Sequence, residues 1–170
     1  MKKIFSFLFI IFLFLSNVSL SQNIDSLLNL GLNKYQEQKY DSAIMYYNKV
    51  LSIDNNNINA LLQRSFVYNF QGNFKKAVID LSKVIELEPD FVSAYISRGS
   101  TYNKLKNYNS ALVDFNKAIF LDAKNQEAYN NRGWTKKFLG DLKGACKDWK
   151  KSKKLGNSEA KIILKNNHCR

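Results

Sequence analysis

Apolar positions recur along this chain in helical rhythm, and the whole pattern recurs every 34 residues. Ala43, Ala77, Ala111 and Ala145 mark the interval. Tyr40, Phe74, Tyr108 and Leu142 repeat it one helical turn earlier, and Tyr47, Leu81, Phe115 and Trp149 one turn later. Such spacings put the three side chains of each set on one helix face. A fixed period of this size predicts a stack of one supersecondary unit, because a lone helical pair cannot bury its own apolar face.

The repeats run 24–57, 58–91, 92–125 and 126–159 without insertion or deletion. Within each, two stretches of helical period are joined by a short polar turn: Gln38-Lys39, Gly72-Asn73, Lys106-Asn107 and Gly140-Asp141. Each unit therefore reads as a helical hairpin. The second helices are expected to end near Asn55, Pro89, Ala123 and Asn157, the lone proline falling where a helix must stop. Beyond Gly156, Asn157-Ser158 can cap one more helix from about Glu159 to Asn167. Its apolar Ala160, Ile162, Ile163 and Leu164 would cover the open end of the stack, so 158–170 is read as a capping element.

The first residues do not share the period. Lys2 and Lys3 precede an apolar run, Ile4 to Leu15 broken only by Ser6, and Ser19-Leu20-Ser21 follows. That is the layout of a signal peptide over 1–21, with cleavage after Ser21 and the repeats occupying 22–157. The competing reading is an uncleaved anchor, but a membrane-spanning helix needs about 20 apolar residues. The expectation is export to the periplasm or beyond the cell.

On these features the chain resembles the tetratricopeptide repeat family. That family places a small residue at the eighth position of each repeat, and here Gly31, Ser65, Gly99 and Gly133 stand there. Tyr68 and Tyr102 occupy its aromatic eleventh position, Val50, Val84, Ala118 and Ser152 its small twenty-seventh, and Pro89 alone its thirty-second. Lys34 and Lys136 depart from the pattern at the eleventh position, which suggests looser packing in the two terminal repeats. The resemblance implies an all-α, right-handed superhelical solenoid of four hairpins plus the C-terminal capping helix.

It also implies a concave groove lined by the first helix of each repeat. Carried over residue by residue, the groove positions give an aromatic and apolar set: Leu32, Tyr35, Phe66, Phe70, Trp134 and Phe138. Exposed aromatics in a concavity are common anchors for a bound peptide. Leu62 and Ile96 share the groove positions but read as lateral packing, whereas Asn69 and Asn103 stay with the groove set. The Lys and Asn set by which chaperone-binding members hold a C-terminal carboxylate is not matched.

A charged pair repeats as well. Arg64, Arg98 and Arg132 take the seventh position of repeats two to four, and Asp80, Asp114 and Asp148 the twenty-third, while the first repeat has Leu30 and Tyr46 there. Charge appears at both positions or at neither, which predicts structural salt bridges within each hairpin. The alternative is a row of arginines facing an acidic ligand.

Net charge is +12, falling to +10 once Lys2 and Lys3 leave with the leader, and from Lys136 to Arg170 eleven Lys or Arg face three acids. Such a face either keeps an exported protein soluble or meets an anionic surface. Lysines dominate it, so nucleic acid is disfavoured. The sole histidine, His168, lies near the end of the chain, and no phosphate loop or metal-type cysteine spacing occurs. No catalytic residue, cofactor, metal or small-molecule substrate is expected.

The two cysteines, Cys146 and Cys169, would face an oxidising compartment after export. If the chain reverses near Gly156-Asn157, they reach similar heights on antiparallel helices, which predicts a disulfide. The other reading is one buried thiol and one free terminal thiol. The sequence thus points to an exported, non-enzymatic scaffold holding a protein or peptide in its groove. The rival is a basic adaptor on an anionic polymer or envelope surface, joined through the C-terminal lysines.

Overall fold

A computed structural model describes residues 23–169 of the chain. The leader expected over 1–21 lies outside these residues, as does Arg170. Among the described residues there are nine helices and no strand. The helix α1 covers 23–36. It is followed by α2 (Tyr40–Ile53), α3 (Ile58–Phe70), α4 (Phe74–Leu87), α5 (Val92–Lys104), α6 (Tyr108–Leu121), α7 (Gln126–Phe138), α8 (Leu142–Lys154) and α9 (Ala160–Asn166). The all-α expectation holds, with two helices in each 34-residue period.

One turn is used in every hairpin. Gln38, Gly72, Lys106 and Gly140 adopt the left-handed conformation, with φ of 60°, 76°, 59° and 87°. The next residue then donates its N–H back to the helix just ended: Lys39 to Lys34, Asn73 to Tyr68, Asn107 to Tyr102 and Asp141 to Lys136, at 2.8–2.9 Å. This closes the carbonyls that a helix leaves orphaned at its C-terminus. Gln38 and Lys106 hold the conformation without glycine, at roughly 1 kcal/mol each.

Two of the three junctions between repeats use side-chain caps, whereas Phe91 before α5 provides none. Asn57 Oδ1 accepts from Ala60 N and Asn125 Oδ1 from Ala128 N, each at 3.0 Å, starting α3 and α7. Asp54 and Asp122 turn their carboxylates onto the following loop, accepting from Asn56 N at 3.0 Å and Lys124 N at 2.9 Å. Their backbones are extended, which ends α2 and α6 two residues earlier than the sequence suggested.

The chain divides within α3 into two compact units, Met1–Val67 and Tyr68–Arg170. In the first, Ala43, Tyr47 and Val67 are buried, with Leu28, Tyr35, Tyr40 and Ile44 packed around them. In the second, α5 and α6 pair, as do α7 and α8, and α6 and α5 both pack on α7. Tyr95, Ile96, Ala111, Phe115, Ala118 and Ala128 form its core. Burying a large apolar side chain stabilises by about 1.5–3 kcal/mol, so these positions hold each unit together. The eighth-position glycines admit the close approach: a Cβ would lie 2.5 Å from the Tyr47 ring at Gly31, 2.9 Å from the Phe115 ring at Gly99 and 2.5 Å from Trp149 at Gly133.

The final helix packs on α8. It starts at Ala160 rather than Glu159 and buries only that alanine fully. Ile162, expected on the covering face, is 63% exposed, so the cap is narrower than its sequence implied.

Candidate interaction surfaces

The repeated arginines are fixed inside the scaffold. Arg98 on α5 donates Nε to Asp114 Oδ2 at 2.9 Å and Nη2 to Asp114 Oδ1 at 2.7 Å, a bidentate pair within one hairpin. Its Nη1 reaches back to Ser82 Oγ on α4 at 3.0 Å. Arg132 repeats this one period on, pairing Nε and Nη2 with Asp148 at 2.8 and 2.7 Å, and Nη1 with Asn116 Oδ1 at 2.7 Å. Each of these arginines therefore ties three helices together. Bonding to Asp114 raises the pKa of the Arg98 guanidinium still further, against the opposing effect of its partial burial. Arg64 and Asp80 fall in different units: Arg64 donates to Asn48 within the first, and Asp80 is buried in α4 of the second.

The third contact was not foreseen. Asn48, Ser82 and Asn116 recur at the same 34-residue interval, but small polar residues on a helix read as solvated. Lys136 was also misjudged. Far from marking loose packing, its Nζ lies 2.7 Å from Asp148 Oδ2 and gives that buried carboxylate a second cation. Lys34 likewise pairs with Glu37 at 2.8 Å, and Lys39 joins at 2.9 Å. These two ammonium groups pull the Glu37 carboxyl down to about 2, the hydrogen bond from Lys34 first.

A second polar ladder joins successive first helices of the second unit. Thr101 Oγ1 lies 3.1 Å from Asn69 Oδ1, and Asn103 Nδ2 donates to Thr135 Oγ1 at 2.8 Å. Both threonines are buried. Asn69 and Asn103, expected in the groove, are thereby committed to holding repeats in register. In the last repeat Lys137 takes the place of asparagine and donates to Asn167 Oδ1 at 2.6 Å.

The candidate aromatics form a cluster in each unit. In the first, Tyr35 and Phe66 meet edge to face at 5.4 Å, with Phe66 48% exposed. Leu32 is exposed on α1. In the second, Phe138 is 52% exposed and stacks on Tyr108 at 5.2 Å. Trp134 lies 6.3 Å from Phe138, with Lys137 Nζ 5.1 Å above its ring. Phe70, at the end of α3, is 57% exposed. Trp134 is not a projecting anchor: it is half-buried, edge-on against the fully buried Trp149 at 5.1 Å. Its burial comes from the large ring at the twenty-fourth position of the same repeat.

At the C-terminal end, Cys146 of α8 and Cys169 sit as a pair with Cα atoms 5.4 Å apart. His168 precedes Cys169 in the left-handed conformation, φ 51°. Among the described residues, no cluster of three or more His, Cys, Asp or Glu could hold a metal. No described helix is long and apolar enough to cross a membrane.

The family profile described as tetratricopeptide repeat matches residues 24–57, 58–91 and 92–125. The fourth hairpin lies outside that match but carries the same turn, glycine–aromatic contact and Arg–Asp pair. No curated protein matches the chain. Among solved structures, a crystal structure of MamA is similar at 24% identity, with a TM-score of 0.76, 88% of this chain and 85% of that one being covered. MamA residues 41 to the end from Desulfovibrio magneticus RS-1 give 22% identity and a TM-score of 0.74 over 82% and 79%. Both are likenesses of fold. The first TPR of Spaghetti (RPAP3) bound to HSP90 peptide SRMEEVD is similar at 27% identity, TM-score 0.66, over 71% of this chain and 95% of that one.

Proposed function

The chain belongs to the tetratricopeptide repeat family, and from that premise we propose that it is an exported, non-enzymatic scaffold that holds a protein or peptide partner on the first helices of its repeats. The observation that carries this reading is the exposure of Phe66, Phe70 and Phe138 on those helices, at 48%, 57% and 52%. Rings left half in water on packed helices gain apolar burial when a partner covers them. The peptide-bound structure of Spaghetti (RPAP3) supports a peptide as the kind of partner. The mode of capture differs, because the Lys and Asn set for a terminal carboxylate is unmatched and Asn69 and Asn103 are engaged between helices.

Export follows from the leader, and the partner is accordingly sought in the envelope or medium. In that compartment the thiols of Cys146 and Cys169 would each give up a proton, and together two electrons, to a disulfide-bearing oxidant. Intact mass of the exported protein reads both points at once: an N-terminus at Gln22 and two hydrogens missing from the cysteine pair. A retained leader would overturn the export reading, and two free thiols the linkage.

The binding test compares capture from native envelope extract by wild type, Phe66→Ala and Phe138→Ala proteins. Each substitution is expected to weaken partner binding by about 1 kcal/mol or more while leaving helicity unchanged. Equal capture by both variants and wild type would exclude these surfaces. Aromatic docking should also persist as salt rises, whereas a complex that collapses steeply with salt would favour the rival basic adaptor.

A further inference from the structure

The C-terminal end contains a cleft of about 770 Å³ that the aromatic surfaces do not use. One wall is α8, which contributes Lys143, Lys147 and Lys150. Spaced by four and three residues, these form one stripe running about 10 Å along the helix. Among the described residues neither Lys143 nor Lys147 has an acidic partner.

His168 and Cys169 line the cleft as well. Cys169 N–H donates to Leu164 O at 3.0 Å, which closes α9 and sets His168 in its left-handed turn. The link to Cys146 then holds His168 against the lysine stripe, and both cysteines line the cleft with it. Leu142, 45% exposed, supplies apolar surface beside the sulfurs. One carboxylate, Asp141, also lines the cleft, but its Oδ1 is turned onto the first turn of α8, accepting from Gly144 N at 2.8 Å. A Cβ at Gly144 would meet only the carboxylate end of Asp141, which could turn aside to admit it.

We propose that this cleft binds an acidic peptide segment in which an apolar side chain lies between carboxylates. The ammonium stripe supplies point charges for the carboxylates, and Leu142 with the linked sulfurs receives the apolar residue. A phosphate polymer fits less well: among the described residues lining the cleft there is no guanidinium fork, and its apolar surface would go unused. None of the clustered aromatic residues lines the cleft, so its test does not depend on them.

The probe is a fluorescein-labelled peptide Asp-Glu-Leu-Asp-Glu, titrated by anisotropy into the mature protein with its disulfide intact. Lys143→Glu/Lys147→Glu is expected to weaken binding by about tenfold or more, and the equally charged control Lys83→Glu/Lys117→Glu by less than about twofold. His168→Ala, which leaves the disulfide in place, should weaken it by about threefold, as should replacing the peptide leucine with glycine. Circular dichroism checks that each variant keeps its helices. Equal losses in the control pair would reduce the site to general attraction of anions and overturn the proposal. Polyphosphate of matched charge binding as tightly as the peptide would overturn it too, as would wild-type affinity in the Lys143/Lys147 variant.

Discussion

Arg98 and Asp114 form a two-point pair across one hairpin, Nε to Oδ2 and Nη2 to Oδ1, with the carboxylate only 3% exposed. Removing Asp114 alone would strand a guanidinium whose side chain is 19% exposed. Asp114→Ala should therefore destabilise by about 3 kcal/mol, whereas Arg98→Met/Asp114→Leu should lose less, because no unpaired charge remains. Urea denaturation of the two variants decides between them. A double variant no more stable than the single one would show that the pair itself, rather than the stranded charge, sets the cost.

Glu37 gives a pH signature. Hydrogen bonds from Lys34 and then Lys39 hold its carboxyl at about 2, below its ordinary 4.5. The folded state thus prefers the ionised form. Any stability it contributes is complete above the unfolded value and lost as pH falls towards 2. An NMR titration should place its midpoint well below the ordinary 4.5, and Lys34→Ala/Lys39→Ala should return it towards that value. The depression should shrink in high salt, since these groups face solvent. An ordinary midpoint at low salt would show that the three side chains do not hold together in solution.

The hairpins were legible in the sequence because one set of constraints is written four times, and a period survives the loss of single positions. Glycine at the eighth place and an aromatic ring at the twenty-fourth are two halves of one contact, as Gly133 and Trp149 illustrate. The contact also explains what was misread. Trp134 has the groove spacing, but a neighbouring indole in the same hairpin draws it inward, which a list of groove positions cannot reveal. Lys136 departs from the family pattern yet completes the Asp148 site. Asn69 and Asn103 look like recognition residues until Thr101 and Thr135 are seen facing them. Sequence spacing identifies a helix face, but the partner across it is set by packing.

Tyr47 is fully buried, and its hydroxyl has no hydrogen-bond partner among the described residues. Burial pushes that phenol up, with Tyr35 adding to it. The equivalent position of the third repeat carries Phe115, which fills its space without a hydroxyl. Tyr47→Phe should therefore stabilise the protein by about 1 kcal/mol. A clear loss in thermal unfolding would mean that the hydroxyl is satisfied in solution, by water or by a shift of the ring.

Gly133 tests the close approach itself. An added Cβ would stand 2.5 Å from Trp149 Nε1 and 2.7 Å from its Cδ1, distances that require the ring to move. It has little freedom to do so: the indole is fully buried, donates Nε1 to Asn130 O at 3.2 Å and lies edge-on against Trp134. Gly133→Ala should destabilise by about 2–3 kcal/mol and alter the tryptophan fluorescence, because the overpacked ring must break its hydrogen bond or spread α7 from α8. Gly72→Ala is the control, since its Cβ meets nothing within 4 Å and the only strain is its φ of 76°. That variant should lose about 1 kcal/mol with unchanged fluorescence. If Gly133→Ala were no worse than Gly72→Ala, the eighth-position glycines would be tolerated spacers, and the helix separation would be set by other contacts of the hairpin.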